Sequence, residues 1–338
     1  MNIFLIIPLI IFIFILFLKE KMQKIIIPFI LYLFMGLRSI HTGTDLTNYL
    51  NFFKLASGRS FSDYTTVIHS LDSNIEYGFL FINKILSFIC GQNERMYILI
   101  TSASLIFFLK KFIDKNSKDV GYSYLIYIFL GFYLMSMNIL RQVLAAEILF
   151  FSYEYIQNRN FKRFILIYLL AISIHTTAII WIVVYFIYPL KLNIKYYTIV
   201  LIILLTNLYF SKKIVYILIN LLPKYKNRYE NLLSNGTGSK LLILYLGILF
   251  FIILCKKYNS IHLKLYNHLL CITVIFQSLA LSFGMLSRLV LYFSYSLIIL
   301  IPNLIDKQIN SEHIIEKISL FLIFYVGYFY LIYLGDIL

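Results

Sequence analysis

Charge is scarce in this sequence. Asp, Glu, Lys and Arg make up 13% of its 338 residues, against about 25% in a soluble domain. Cysteine is scarce as well. Cys90, Cys255 and Cys271 lie in or beside apolar runs with no metal-ligand spacing, so they read as small apolar fillers, with neither a disulfide framework nor a zinc site. No Walker loop, dinucleotide fingerprint or Asp-x-Asp pair is present, which leaves no motif for cradling a nucleotide. Acidic residues number half the basic ones, and the net charge of +15 could point to nucleic acid. The basic residues are scattered across short loops, however, and membrane topology accounts for them better. What is abundant is apolar surface: 61% of residues are hydrophobic and the mean hydropathy is +0.85. The chain reads as an all-α polytopic membrane protein, with no nucleic acid as partner.

The apolar runs set an expected topology. Ile3 to Leu18 is followed by Lys19, Lys21 and Lys24. A secretory signal carries its positive charge before the apolar stretch and a small-residue cleavage site after it. Here the charge follows and no such site is present, so the run reads as a retained first span with the N-terminus outside. Residues 25–37 cross back. Further spans are expected at about 96–109, 120–137, 142–156, 164–188, 196–210, 213–222, 240–255, 268–284, 289–305 and 318–334, about twelve in all. Residues 38–95 form the longest outer loop. Within it, Thr44 or Asp45 would cap a short amphipathic helix carrying Leu46, Tyr49, Leu50 and Phe53. Residues 77–89 are too short to cross and contain Asn83 and Lys84, so they are expected to be re-entrant or interfacial. If they crossed, the cluster from Lys110 to Lys118 would fall outside, against the positive-inside bias. No internal repeat or broken helix is evident, and 1–338 reads as one integral membrane domain.

Arginine departs from this pattern. The chain uses 22 Lys but only 8 Arg, and of the arginines only Arg159 and Arg163 fall inside. Arg38, Arg59, Arg95, Arg141, Arg228 and Arg288 all fall outside or at the outer edge. The planar guanidinium fork grips two phosphate oxygens at once, so this asymmetry points to an outward cavity for a phosphorylated lipid head group. Two consecutive apolar segments also carry Arg141, Gln142, Glu147 and His175. Ionisable groups at membrane depth are costly and mark function by default. The alternative is an Arg that snorkels from a helix end and a structurally satisfied His. Glu147 lies six residues after Arg141, about 9 Å along a helix, and is expected to pair with a neighbouring cation.

These elements occur in a recognisable order. They are Gly36-Leu37-Arg38 with Gly43-Thr44-Asp45 and Asn48-Tyr49; Glu76-Tyr77-Gly78-Phe79; Asn138 through Arg141-Gln142 with Ala145; Ile174-His175 with Ala178; and Ser287-Arg288 with Tyr292-Phe293. The chain thereby resembles the EpsG-like branch of bacterial Wzy-type polysaccharide polymerases. The resemblance covers most of the first 190 residues and returns near Arg288. Many members have Pro where this chain has Tyr77.

The resemblance implies a GT-C-like glycosyltransferase, metal-independent and without cofactor, in the bacterial plasma membrane with its site facing outward. Such enzymes move a growing glycan from polyprenyl diphosphate to the non-reducing end of a fresh lipid-linked repeat unit. The product is O-antigen, capsule or exopolysaccharide, and a separate chain-length co-polymerase is an expected partner. The departing diphosphate needs cations where charge develops, for which Arg141, Arg288 and Arg38 are the first candidates. The acceptor hydroxyl needs a base, for which Asp45, Glu76 and His175 compete, each of them also able to serve as a structural hydrogen-bond partner. Gln142, Tyr49 and Arg228 are further substrate-binding candidates. Rival readings are an O-antigen ligase, a flippase for the same lipid, and an assembly subunit.

Overall fold

The computed structural model describes residues 3–72, 74–220, 238–254, 261–305 and 314–333. Among them the structure is helical and contains no strand. Contacts divide the chain into two compact units, residues 1–179 with 301–338, and residues 180–300. Arg228 and Cys255 lie outside the described residues.

The first unit opens with α1 (Ile3–Phe17) and α2 (Glu20–Gly36). The Gln23 amide donates to the Leu18 carbonyl at 2.8 Å, occupying an acceptor at the end of α1 that no further turn would satisfy. Next come α3 (Leu46–Ala56), α4 (Phe61–Leu71) and α5 (Tyr77–Cys90). As expected, α3 buries Leu46, Tyr49, Leu50 and Phe53 on one face. After them come α6 (Glu94–Asn116), α7 (Val120–Phe129), α8 (Phe132–Asn138), α9 (Leu140–Phe150), α10 (Tyr153–Gln157) and α11 (Phe161–Ile174). Cys90 is buried, as a filler should be. Neighbouring contacts pair α2 with α6, α9 with α11, and α5 with both α3 and α11.

The second unit holds α12 (Ile182–Ile187), α13 (Ile194–Asn220), α14 (Ser239–Leu254), α15 (Ile261–Ala280) and α16 (Ser287–Ser294). It continues into α17 (Leu297–Ile305), whose end belongs to the first unit. The last helix, α18 (Ile314–Tyr333), returns to the first unit. There Tyr325 and Tyr328 donate to the carbonyls of Leu5 and Phe4, while Phe321 stacks on Phe12 at 4.0 Å. Residue numbers that fall on α1 as they rise on α18 make that pair antiparallel.

Side-chain hydrogen bonds fix the pairing of α13 with α15. Tyr196 meets His268 Nδ1 at 2.9 Å, the Asn207 amide donates to Ser278 Oγ at 3.0 Å, and Ser211 meets Ser282 at 2.5 Å. The offsets, 72, 71 and 71 residues, stay constant along the helices, so α13 and α15 run parallel. Polar rungs of this kind hold helices together where apolar burial gives no preference between helix and lipid.

Several expected spans are corrected. The segments at 196–210 and 213–222 are one helix, α13. No Gly or Pro separates them, and Ser211 bonds outward to Ser282 rather than ending the helix. Lys212 and Lys213 therefore sit on a helix, not in an inside loop, and the count that assigned sides to later segments loses one crossing. Likewise α6 runs on through Lys110, Lys111 and Lys115, where Lys110 pairs with Asp114 one turn later. Broken helices, unseen in the sequence, are present. The run at 120–137 bends by 62° at Gly131, which has φ +76°; 142–156 divides into α9 and α10; and 164–188 breaks at His175, followed by a 3-10 turn, Thr176–Trp181. Three described helices are long and apolar enough to cross a membrane, or five if each bent pair is one span.

Candidate functional site

The site is built on Glu76 in the first unit. Glu76 is the N-cap residue of α5, so its side chain stands at the helix start rather than along the apolar barrel. One carboxylate oxygen accepts from Arg141 Nη1 at 2.6 Å. The other meets His175 Nδ1 at 3.0 Å and accepts from the Thr176 backbone N–H at 2.7 Å and its hydroxyl at 3.1 Å. Three helix ends thus converge on one carboxylate. Their side chains are mostly covered, with exposures of 10% for Glu76, 18% for Arg141 and 19% for His175. Glu76 precedes α5 and lies outside the candidate spans. Burial alone would raise its carboxyl pKa. The hydrogen bond and charge of His175, the Arg141 guanidinium and the Thr176 N–H overcome that and bring it down to about 2.

Local structure explains why these groups meet. Helix α11 ends at His175, whose extended backbone (φ −150°) turns the chain and presents both its ring and the Thr176 N–H to α5. The approach is close enough to require Gly78. A Cβ there would lie 2.4 Å from the Ser173 carbonyl oxygen, and backbone cannot yield as a flexible side chain can. Gly78→Ala is therefore expected to push α5 away from α11, destabilising the protein by about 1–3 kcal/mol. A melting curve would check this, and an unchanged midpoint would show that the contact does not matter. On the other side of the carboxylate, the His69 ring meets the Ile75 carbonyl at 2.9 Å and packs edge-on against Tyr77 at 4.7 Å, fixing the turn that carries Glu76.

Arg141 sits in the first turn of α9. Its guanidinium lies over the rings of Tyr49 and Phe79, at 5.9 and 5.6 Å, and those rings meet edge-to-face at 5.5 Å. Two aromatic faces and a carboxylate therefore aim this cation. The start of α9 is itself clamped. Asn138 Oδ1, at the end of α8, accepts from Thr44 Oγ1 at 3.0 Å and from the Asp45 backbone N–H at 3.1 Å. Gly43, with φ +102°, packs against Met137 and Asn138, where a Cβ would be crowded. Arg38 reaches the Met137 carbonyl at 3.4 Å and the Met35 carbonyl at 2.8 Å.

The sequence candidates thus divide. Arg141, Glu76, His175 and Tyr49 come together. Asp45 and Arg38 gather one step back, around the break that sets the start of α9. The Asp45 carboxylate itself makes no hydrogen bond or ion pair with the described residues. Gln142 is buried in α9. Arg288 is exposed at the start of α16, in the second unit. The other arginines expected around one cavity turn to backbone instead: Arg95 to the carbonyls of Gly36 and Arg38, and Arg59 to that of Leu55. The expected ion pair of Glu147 is absent among the described residues. The side chain is fully buried and neither oxygen is hydrogen-bonded. Sequence reasoning missed Thr176 and His69, and took Phe79 only as part of an ordered element. Thr176 was legible only through the break at His175, which the apolar run conceals.

A family model, the EpsG family, matches residues 21–337. No match was found among curated proteins or solved structures. Family membership, joined to the apolar helices, indicates a membrane protein of polysaccharide biosynthesis with a glycosyltransferase-like, polymerase-type role. A match over nearly the whole chain makes the conclusion plain: this protein belongs to the EpsG family.

Proposed function

We propose that the protein is a Wzy-type polymerase that extends a glycan carried on polyprenyl diphosphate at the outer face of the plasma membrane. The observation that carries this reading is the Glu76 carboxylate shared by Arg141 and His175. Glu76 fixes both partners and is itself a poor base, with its pKa held near 2. His175 uses Nδ1 toward Glu76, which leaves Nε2 to face substrate, an arrangement in which a carboxylate sets the tautomer and orientation of a working imidazole. In the proposed step the acceptor sugar hydroxyl attacks the anomeric carbon of the growing chain. A new glycosidic C–O bond forms, the C–O bond to diphosphate breaks, and its electron pair leaves with the diphosphate. The hydroxyl proton passes to His175 Nε2, while Arg141 stabilises the charge that develops on the leaving group. Arg38 and Gln142 remain proposed substrate contacts, and Asp45 a proposed sugar ligand. Arg228 and Arg288 are not among them, because their outer placement came from a crossing count that the continuous α13 changes. The reading includes a GT-C-like arrangement with one crossing fewer than the sequence implied, because α13 is continuous.

Deletion strains separate this function from its rivals. Loss of a polymerase leaves single repeat units on the final acceptor, loss of a ligase leaves none, and loss of a flippase traps lipid-linked units inside. The first pattern is expected here, and either of the others would replace the proposal. Orientation is tested separately. A cysteine placed at Lys84 should react with a membrane-impermeant reagent on intact cells. Reaction only after the cells are opened would put residues 38–95 on the wrong side.

A further inference from the structure

An open cavity of about 560 Å³ lies between the α3–α4 turn and the middle of α5. Arg59 and Lys84 supply its charge, and Phe61, Phe81 and Phe88 its apolar wall. Lys84 stands eight residues beyond Glu76, about 12 Å along α5, so the cavity is separate from the Glu76 cluster. Lys84 donates to the carbonyls of Ala56 and Arg59, at 2.9 and 2.5 Å, and a third N–H remains. Arg59 donates through Nη1 to the Leu55 carbonyl at 2.7 Å, which leaves most of its fork unused. No carboxylate pairs with either cation among the described residues. The nearby Asp63 carboxylate instead accepts from Ser60 Oγ at 2.6 Å, as part of the α4 cap.

The cavity opens onto a stripe that nothing within the unit covers. Tyr77, Phe81, Ile85, Phe88 and Ile89 are 62%, 56%, 44%, 77% and 58% exposed, and their spacing puts them on one face of α5. A charged mouth with an apolar trail matches an amphiphile whose head is anionic and whose tail is hydrocarbon. The unused guanidinium fork selects phosphate oxygens among possible head groups.

The geometry points to a binding site for an anionic phospholipid of the bilayer, its phosphate held by Arg59 and Lys84 and one chain lying along the exposed face of α5. This inference is independent of the polymerase reading. The test uses the full chain in detergent, titrated with phosphatidylglycerol, phosphatidylcholine, polyprenyl phosphate or inorganic phosphate, and read by native mass spectrometry and by thermal midpoint. Phosphatidylglycerol should bind and raise the midpoint, phosphatidylcholine and inorganic phosphate should do so far less, and Arg59→Gln should weaken phosphatidylglycerol binding about tenfold or more. The Arg59 side chain is exposed and hydrogen-bonds only to the Leu55 carbonyl, so this variant is expected to keep the fold, with the thermal midpoint of the lipid-free protein as the check. Phe88→Ser, on the exposed stripe, should also weaken binding of the lipid. Equal binding of phosphatidylcholine, an equal response to inorganic phosphate, preference for polyprenyl phosphate, or unchanged binding in Arg59→Gln would each overturn the assignment.

Discussion

Arg141→Ala is expected to abolish chain extension, leaving single repeat units on the glycan gel while the protein stays in the membrane at normal level. The guanidinium is held by Glu76 at 2.6 Å and by two aromatic faces, so its position is set before substrate arrives. Donors fixed in advance where leaving-group charge develops contribute about 10²–10³ in rate each. Loss of that factor would leave extension too slow to yield polymer. Arg141→Lys is expected to fail as well. An ammonium could keep the charge and even the contact to Glu76, but its three N–H groups diverge from one atom and lack the planar fork that grips two diphosphate oxygens at once. Wild-type chain length in Arg141→Ala would remove the residue from the mechanism. Wild-type length in the Lys variant alone would mean that charge suffices.

Glu76→Gln should have the second-largest effect, and it carries a pH signature. Charge neutralisation loosens both Arg141 and His175, so polymer should vanish as it does in the Arg141 variant. Stability responds in a defined direction. The folded carboxyl has a pKa of about 2 against an ordinary 4.5, so its stabilising contribution is fully present above 4.5 and is lost as pH falls toward 2. A shift of that size corresponds to a contribution on the order of 3 kcal/mol. The difference in melting temperature between wild type and Glu76→Gln, measured in detergent, should be constant above pH 4.5 and shrink between 4.5 and 2. A difference that grew on acidification would contradict the ion-paired carboxylate.

How much was legible beforehand differs from element to element. The α3 face could be read from spacing alone, because four apolar residues at helical intervals leave little choice. The pairing of Glu76 with Arg141 and His175 could not. The three lie 65 and 99 residues apart, and composition says nothing about which helix ends will meet. Arg38 and Asp45 were legible as members of an ordered set, but the bonds of Arg38 and of the Asp45 backbone N–H to the segment leading into α9 were not. The helix breaks were hidden for a simpler reason. A 3-10 turn and an α-turn bury apolar side chains equally well, so hydropathy runs straight through His175.

The constant offset between α13 and α15 limits how this half of the protein can move. A slide of either helix by one turn would unmate all three rungs together, yet it would also bring Asn207 opposite Ser282 or Ser211 opposite Ser278. The pair therefore resists a small slip but has discrete alternative registers one turn apart, so a displacement of α13 along α15 would come as a step rather than a drift.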